Sequence, residues 1–90
     1  MKKRDSNQKK IERFLRAVGI SYFDTSQIGR GFPDIVIGIR GRNYLFEIKN
    51  PEVSKSGQKL TESEEKFHQI WGGQIKIVRT IEDVISEIKM

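Results

Sequence analysis

Residues 31–49, Gly-Phe-Pro-Asp-Ile-Val-Ile-Gly-Ile-Arg-Gly-Arg-Asn-Tyr-Leu-Phe-Glu-Ile-Lys, place two β-branched and aromatic runs on either side of a Gly/Arg/Asn turn. That pattern predicts a β-hairpin. With Gly41 and Arg42 as the central loop residues, Arg40 faces Asn43, Val36 faces Glu47 and Asp34 faces Lys49. Side chains alternate along a strand, so Asp34, Glu47 and Lys49 share one face. The other face carries Ile35, Ile37, Ile39, Tyr44, Phe46 and Ile48. A one-residue slip would mix the two sets, so the apolar pattern itself selects the face. Two carboxylates and an ammonium then meet at the open end of the hairpin, a grouping suited to a metal ion and a phosphate.

Ninety residues fit one small domain, 1–90, with a single modest core. The 17 Lys+Arg against 12 Asp+Glu leave a net charge of +5, which favours polyanionic partners, nucleic acid first, through phosphate contacts. Solvated lysines alone would give the same balance, so charge needs a site beside it to mean function. There is no cysteine, which excludes disulfides and thiolate metal sites and is compatible with a reducing, cytoplasmic setting. One histidine leaves little scope for a zinc site, so a metal here is a hard cation held by carboxylates and carbonyls. No apolar run is long enough to cross a membrane, and the opening lacks the apolar stretch of a signal peptide.

Residues 1–5 read as a basic flexible tail. Ser6 is the expected N-cap of a helix to about Val18, stopped by Gly19, with Ile11, Phe14, Leu15 and Val18 on one stripe. Lys9, Arg13 and Arg16 project from the other side, either as a solvated face or as phosphate contacts. Glu12 borders the apolar stripe, where it points into a neighbouring cleft or pairs with Arg16 at i+4. Ile20 to Asp24 is a short strand, and Thr25 to Phe32, with Gln27 and Arg30, a polar loop. Pro33, with no N–H, suits the first position of the next strand. Residues 50–59, with Lys55 and Lys59, form a loop without periodicity that either closes over a bound strand or merely connects. Thr61 and Glu64 have capping-box spacing at the head of a helix to about Trp71, with Phe67, Ile70 and Trp71 as its apolar face. Glu64 lies near that inward side, where capping satisfies it or a lysine or metal does. His68 is expected to be structural or solvent-facing. Gln74 to Val78 is a strand, and Thr80 caps a last helix with Ile81, Val84, Ile85 and Ile88 inward. The fold class is α/β, order αβββαβα, with a mixed four-stranded sheet flanked by helices. The third and fourth strands, joined through a helix, should pair in parallel.

Phosphodiester cleavage calls for a cation that activates water and stabilises developing charge. Asp34 and Glu47 can hold it across the hairpin, with the backbone carbonyl of Ile48 between Glu47 and Lys49. Lys49 can orient or deprotonate the water or neutralise charge, and crowding by the two acids favours its charged form. Magnesium is the natural ion, and manganese should substitute.

Gly31-Phe32-Pro33-Asp34 followed by Phe46-Glu47-Ile48-Lys49 resembles the PD-(D/E)xK nuclease core. Asn50-Pro51, Leu60-Thr61 and the Gly72-Gly73 strand entry are similar to VRR-Nuc domains, the virus-type replication and repair nucleases. The resemblance spans nearly the whole chain, as a minimal copy of the domain. It implies that Asp34 and Glu47 are the metal-binding acids, Lys49 the catalytic lysine, and Glu12 the acid on the first helix, also within reach of a metal. Many members carry a glutamine where Glu64 stands here; Glu64 and Gln27 are then polar groups backing the site. Lys9, Arg13, Arg16, Arg30, Lys55 and Lys59 are the candidate nucleic-acid contacts. The family further implies a structure-selective DNA endonuclease similar to resolvases of four-way (Holliday) junctions. Such an enzyme would act as a homodimer in the cytoplasm, the host's if viral. The alternatives are a sequence-specific restriction-type nuclease, for which ninety residues leave few elements to read bases, and a non-catalytic nucleic-acid-binding module.

Overall fold

The computed structural model describes residues 6–90, apart from the side chain of Ser56; the basic tail expected at 1–5 lies outside the described residues. The elements are α1 (Ser6–Val18), β1 (Ser21–Asp24), β2 (Ile35–Ile39), β3 (Arg42–Ile48), a 3₁₀ turn (Ser56–Gln58), α2 (Glu62–Ile70), β4 (Lys76–Val78) and α3 (Ile81–Ile88). They form one four-stranded sheet in the order β1-β2-β3-β4, antiparallel except for the parallel β3–β4 pair. The expected α/β class and αβββαβα order are therefore present, parallel crossover included.

The alternation in the hairpin builds the core. Ile35, Ile37, Phe46 and Ile48 point to one face of the sheet, and β4 adds Val78. Ile11 and Leu15 of α1 and Val84 and Ile88 of α3 close over them, all buried. Burying one such side chain contributes about 1.5–3 kcal/mol, so these nine side chains hold both helices on the same face. The last two helices start where expected: Thr61 with Glu64, and Thr80 with Asp83, form reciprocal capping boxes. Gly19, at φ 77°, ends α1 in the left-handed conformation.

Four boundaries or contacts depart from expectation. Ser6 already lies inside α1 rather than capping it. The hairpin loop is centred on Arg40 and Gly41, not Gly41 and Arg42, because Ile39 pairs with Arg42 and Ile35 with Phe46. Both loop residues have positive φ (52° and 74°), as the tight type I′ turn demands. Arg40 bears that conformation while its guanidinium donates to the Ile88 carbonyl at the end of α3. The strands β1 and β4 are shorter than expected. Ile20 closes α1 through its N–H to the Leu15 carbonyl. Gln74 meets the neighbouring strand with its side chain, whose Oε1 accepts from the Leu45 N–H at 2.7 Å. Finally, the expected inward stripe of α2 is only partly inward. Phe67 packs edge-on against Phe32 and stacks on Trp71, but Ile70, the last residue of this nine-residue helix, is 80% exposed. Among the described residues, no helix is long and apolar enough to cross a membrane.

Candidate active site

The register correction shifts the hairpin by two residues. An even shift leaves every side chain on its expected face but changes its neighbours. Asp34 sits at a bend just before β2, where its N–H donates to the Phe46 carbonyl at 3.0 Å. Its Oδ2 accepts from the Ile48 N–H at 2.8 Å. That places the Asp34 carboxyl against Glu47 rather than Lys49, and the two carboxyls lie within hydrogen-bonding contact.

Glu47 is 1% exposed and Asp34 6%. Burial, then the Asp34 and Glu64 charges, push the Glu47 carboxyl up to about 9, against a weaker opposing pull from Lys49. Its Oε2 lies 3.5 Å from the Lys49 ammonium, but its Oε1 is buried with no hydrogen-bond partner. Lys49 is held from the other side: its Nζ donates to Glu64 Oε1 at 3.1 Å. Burial works against the Lys49 charge, but the bond to Glu64 and the charges of Glu47, Glu64 and Asp34 outweigh it and raise its pKa. For Glu64 burial is likewise outweighed, by the Thr61 N–H and by Lys49, so its carboxyl is held below its usual range. Glu64 therefore fills both roles considered for it. The same Oε1 accepts from the Thr61 N–H at 2.9 Å, capping α2, and from Lys49.

Glu12 takes the inward alternative. It is buried, and its Oε2 accepts from Gln8 Nε2 at 3.0 Å, whereas Arg16 donates to the Tyr22 hydroxyl at 2.6 Å. Gln8 in turn reaches the Asp34 carbonyl at 3.2 Å, which links Glu12 to the hairpin's open end. Lys9, Arg13, Arg16, Arg30, Lys55 and Lys59 are all exposed, as is Gln27. Arg30, at φ 57°, lines a cleft of about 260 Å³ between residues 29–32 and the start of α2, with Glu64 in its wall. His68, one turn after Glu64, has a buried Nε2 without a partner, and burial lowers its pKa. Sequence reasoning missed Asn7, Gln8 and Asp24, all engaged at the site's edge. The signal for Gln8 was present: Gln8, Ile11, Glu12 and Leu15 follow i, i+3, i+4, i+7 spacing, so an amide sits on the buried stripe.

A hard divalent cation suits this donor set. Two buried carboxyls lie in contact, one oxygen of Glu47 is buried without a partner, and oxygen ligands are what such an ion takes. The N–H and C=O of one strand residue project to the same side, so the Ile48 carbonyl faces the same way as the N–H that Asp34 accepts from. Among the described residues no group of three or more His, Cys, Asp or Glu side chains is arranged to hold a metal.

The element order αβββαβα and the mixed four-stranded sheet are consistent with a PD-(D/E)xK-like fold. The chain is similar to a solved structure described as a VRR_NUC domain, with a TM-score of 0.56 and 24% identity, over 93% of this chain and 91% of that one. The fold is thus that of a VRR_NUC domain, as the sequence resemblance implied. By sequence, no family model and no curated protein matches the chain.

Proposed function

We propose that this chain is a magnesium-dependent, structure-selective DNA endonuclease that cuts four-way junctions as a homodimer. The observation that carries the reading is the buried, partnerless Glu47 Oε1 beside Asp34 and Lys49. Two near-buried acids in contact are costly to a fold unless a proton or cation sits between them.

Asp34, Glu47 and the Ile48 carbonyl would hold the ion, with manganese able to replace magnesium. When bound, it supplies acidification of water and neutralisation of charge on the phosphate. Lys49 stays cationic, so its part is to orient the nucleophile and stabilise charge developing on the phosphate oxygens. Glu64 fixes the Lys49 ammonium toward the acidic pair. Glu12 positions Asp34 through Gln8. The exposed Lys9, Arg13, Arg16, Arg30, Lys55 and Lys59 carry the DNA backbone, consistent with the net charge of +5. Two copies are needed to make two cuts on opposed strands. The compartment taken in this reading is the cytoplasm, the host's if the chain is virus-borne.

The test is cleavage of a four-way junction in Mg²⁺, in Mn²⁺ and in EDTA, beside flaps, splayed arms and linear duplexes. Asp34→Ala and Glu47→Ala should each abolish cutting while junction binding survives. Full activity in either variant, or cutting in EDTA, refutes the reading. A preference for one linear sequence would indicate a restriction-type enzyme, and salt-sensitive binding without any cutting a non-catalytic binder. Sedimentation at micromolar concentration checks the dimer.

A further inference from the structure

The first turn of α1 carries two near-buried amides, of which only Gln8 enters the proposed chemistry, as the link from Glu12 to Asp34. Asn7 is 9% and Gln8 2% exposed. Asn7 Nδ2 donates to the carbonyls of Lys49 (2.9 Å) and Arg79 (2.8 Å). It thereby spans the ends of the parallel strands β3 and β4, just past the bond from the Lys49 N–H to the Val78 carbonyl. Gln8 Nε2 meets three acceptors: Glu12 Oε2 at 3.0 Å, Asp24 Oδ1 at 3.0 Å and the Asp34 carbonyl at 3.2 Å. Acceptors on every side fix the amide nitrogen in that place. Asp24 also accepts from the N–H and hydroxyl of Ser26, so it anchors the loop that leads back to Asp34.

We infer that Asn7 and Gln8 are positioning residues that fasten the backbones of Lys49 and Asp34, the two ends of the hairpin, to one helical turn. The inference rests on the nuclease reading of the site. The hairpin's open end is the part of the ladder most prone to fray, and Asp34 sits at a bend there. Adjacent residues on a helix are rigidly spaced, with a rise of about 1.5 Å. Binding one strand end to Asn7 and the other to Gln8 therefore fixes their separation. A misplacement of about 1 Å at such a centre costs as much as about 100-fold in rate.

The full chain with Gln8→Leu or Asn7→Leu decides the matter, read by thermal melting, by Mn²⁺ affinity from calorimetry, and by kcat and KM on a junction. Gln8→Leu should weaken Mn²⁺ binding and lower kcat, each about 10- to 100-fold, with KM within about twofold. Asn7→Leu acts on Lys49, which is not a ligand, so it should lower kcat while Mn²⁺ affinity stays within about twofold. Should Gln8→Leu fail to fold, Gln8→Asn, which keeps the amide but shortens its reach, is expected to show the same losses. Variants that melt earlier yet keep wild-type Mn²⁺ affinity and kcat would make the two amides purely structural and overturn the inference. So would a rise in KM with kcat intact. A wild-type chain that binds Mn²⁺ but never cuts refutes the nuclease, and the Mn²⁺ affinities then still judge Gln8. One that neither binds nor cuts removes both.

Discussion

Replacing Glu47 by Gln keeps the side chain's shape and removes its charge, and the geometry predicts a more stable, inactive protein. Glu47 is 1% exposed, and burial with the neighbouring Asp34 raises its carboxyl from 4.5 to about 9. A carboxyl raised in the folded state is protonated there over a range in which the unfolded chain has already lost the proton. Its penalty is absent below pH 4.5 and grows by about 1.4 kcal/mol for each pH unit up to pH 9. At pH 7 the metal-free protein therefore carries about 3 kcal/mol of strain from this one group. Glutamine carries none, its amide can donate to Asp34, and Lys49 keeps Glu64 as a partner. Each kcal/mol moves the Tm of a domain this size by about 4–8 °C, so Glu47→Gln should melt on the order of 10 °C higher at pH 7 in EDTA. Near pH 5 the two proteins should melt together, and the gap should widen toward pH 8. Adding Mg²⁺ should raise the wild-type Tm and leave the variant's nearly unchanged, because only the wild type keeps the charged ligand. Parallel melting curves across this pH range, or a variant less stable at pH 7, would refute the account of Glu47 as a buried acid awaiting a cation.

Other expectations follow from the same geometry. Gly31 has φ +79°, and a Cβ there would lie 2.1 Å from the Ser63 carbonyl oxygen, so Gly31→Ala should cost about 2–4 kcal/mol in a urea melt; a loss under about 0.5 kcal/mol would contradict that close approach. Glu64→Gln keeps the capping geometry, which accepts Glu or Gln alike, but removes the charge that holds Lys49. It should lower stability by about 1–3 kcal/mol, because it removes the charged partner of a near-buried ammonium, and lower kcat at constant KM, checked by paired melts and kinetics. Arg13→Ala and Arg30→Ala should each weaken DNA binding and reduce the slope of log affinity against log salt by about 1, as measured by anisotropy; an unchanged slope would make those residues a solvated surface.

Much of the fold was legible because its determinants are local. Alternation in residues 31–49 picked the core face of the sheet, and Thr61 with Glu64 marked the head of α2. What stayed hidden depended on choices that local pattern leaves degenerate. Arg40-Gly41 and Gly41-Arg42 both contain the one residue that takes positive φ freely, and they differ only in whether an arginine precedes or follows it. Arg40 adopts that conformation with its guanidinium on the Ile88 carbonyl, 48 residues away. Ile70 obeys helical spacing, but spacing cannot reveal that this last residue of α2 stays exposed. Gln8 and Asp24 meet across 16 residues, and no periodicity relates a helix amide to the end of the next strand.

A register shift of two residues preserves the faces of the hairpin but changes which side chains are neighbours. Asp34 opposite Lys49 would have been a satisfied ion pair, content without any ion. Asp34 against Glu47 is instead two acids with one buried oxygen left over, an arrangement that either a proton on Glu47 or a cation relieves. Lys49 then takes its partner from α2 instead of β2. The position of the Lys49 ammonium thus depends on where α2 begins, and that start is pressed against the backbone of Gly31, three residues before Asp34. One close backbone contact, possible only at glycine, therefore ties the start of α2, and with it Glu64 and Lys49, to the segment that leads into Asp34.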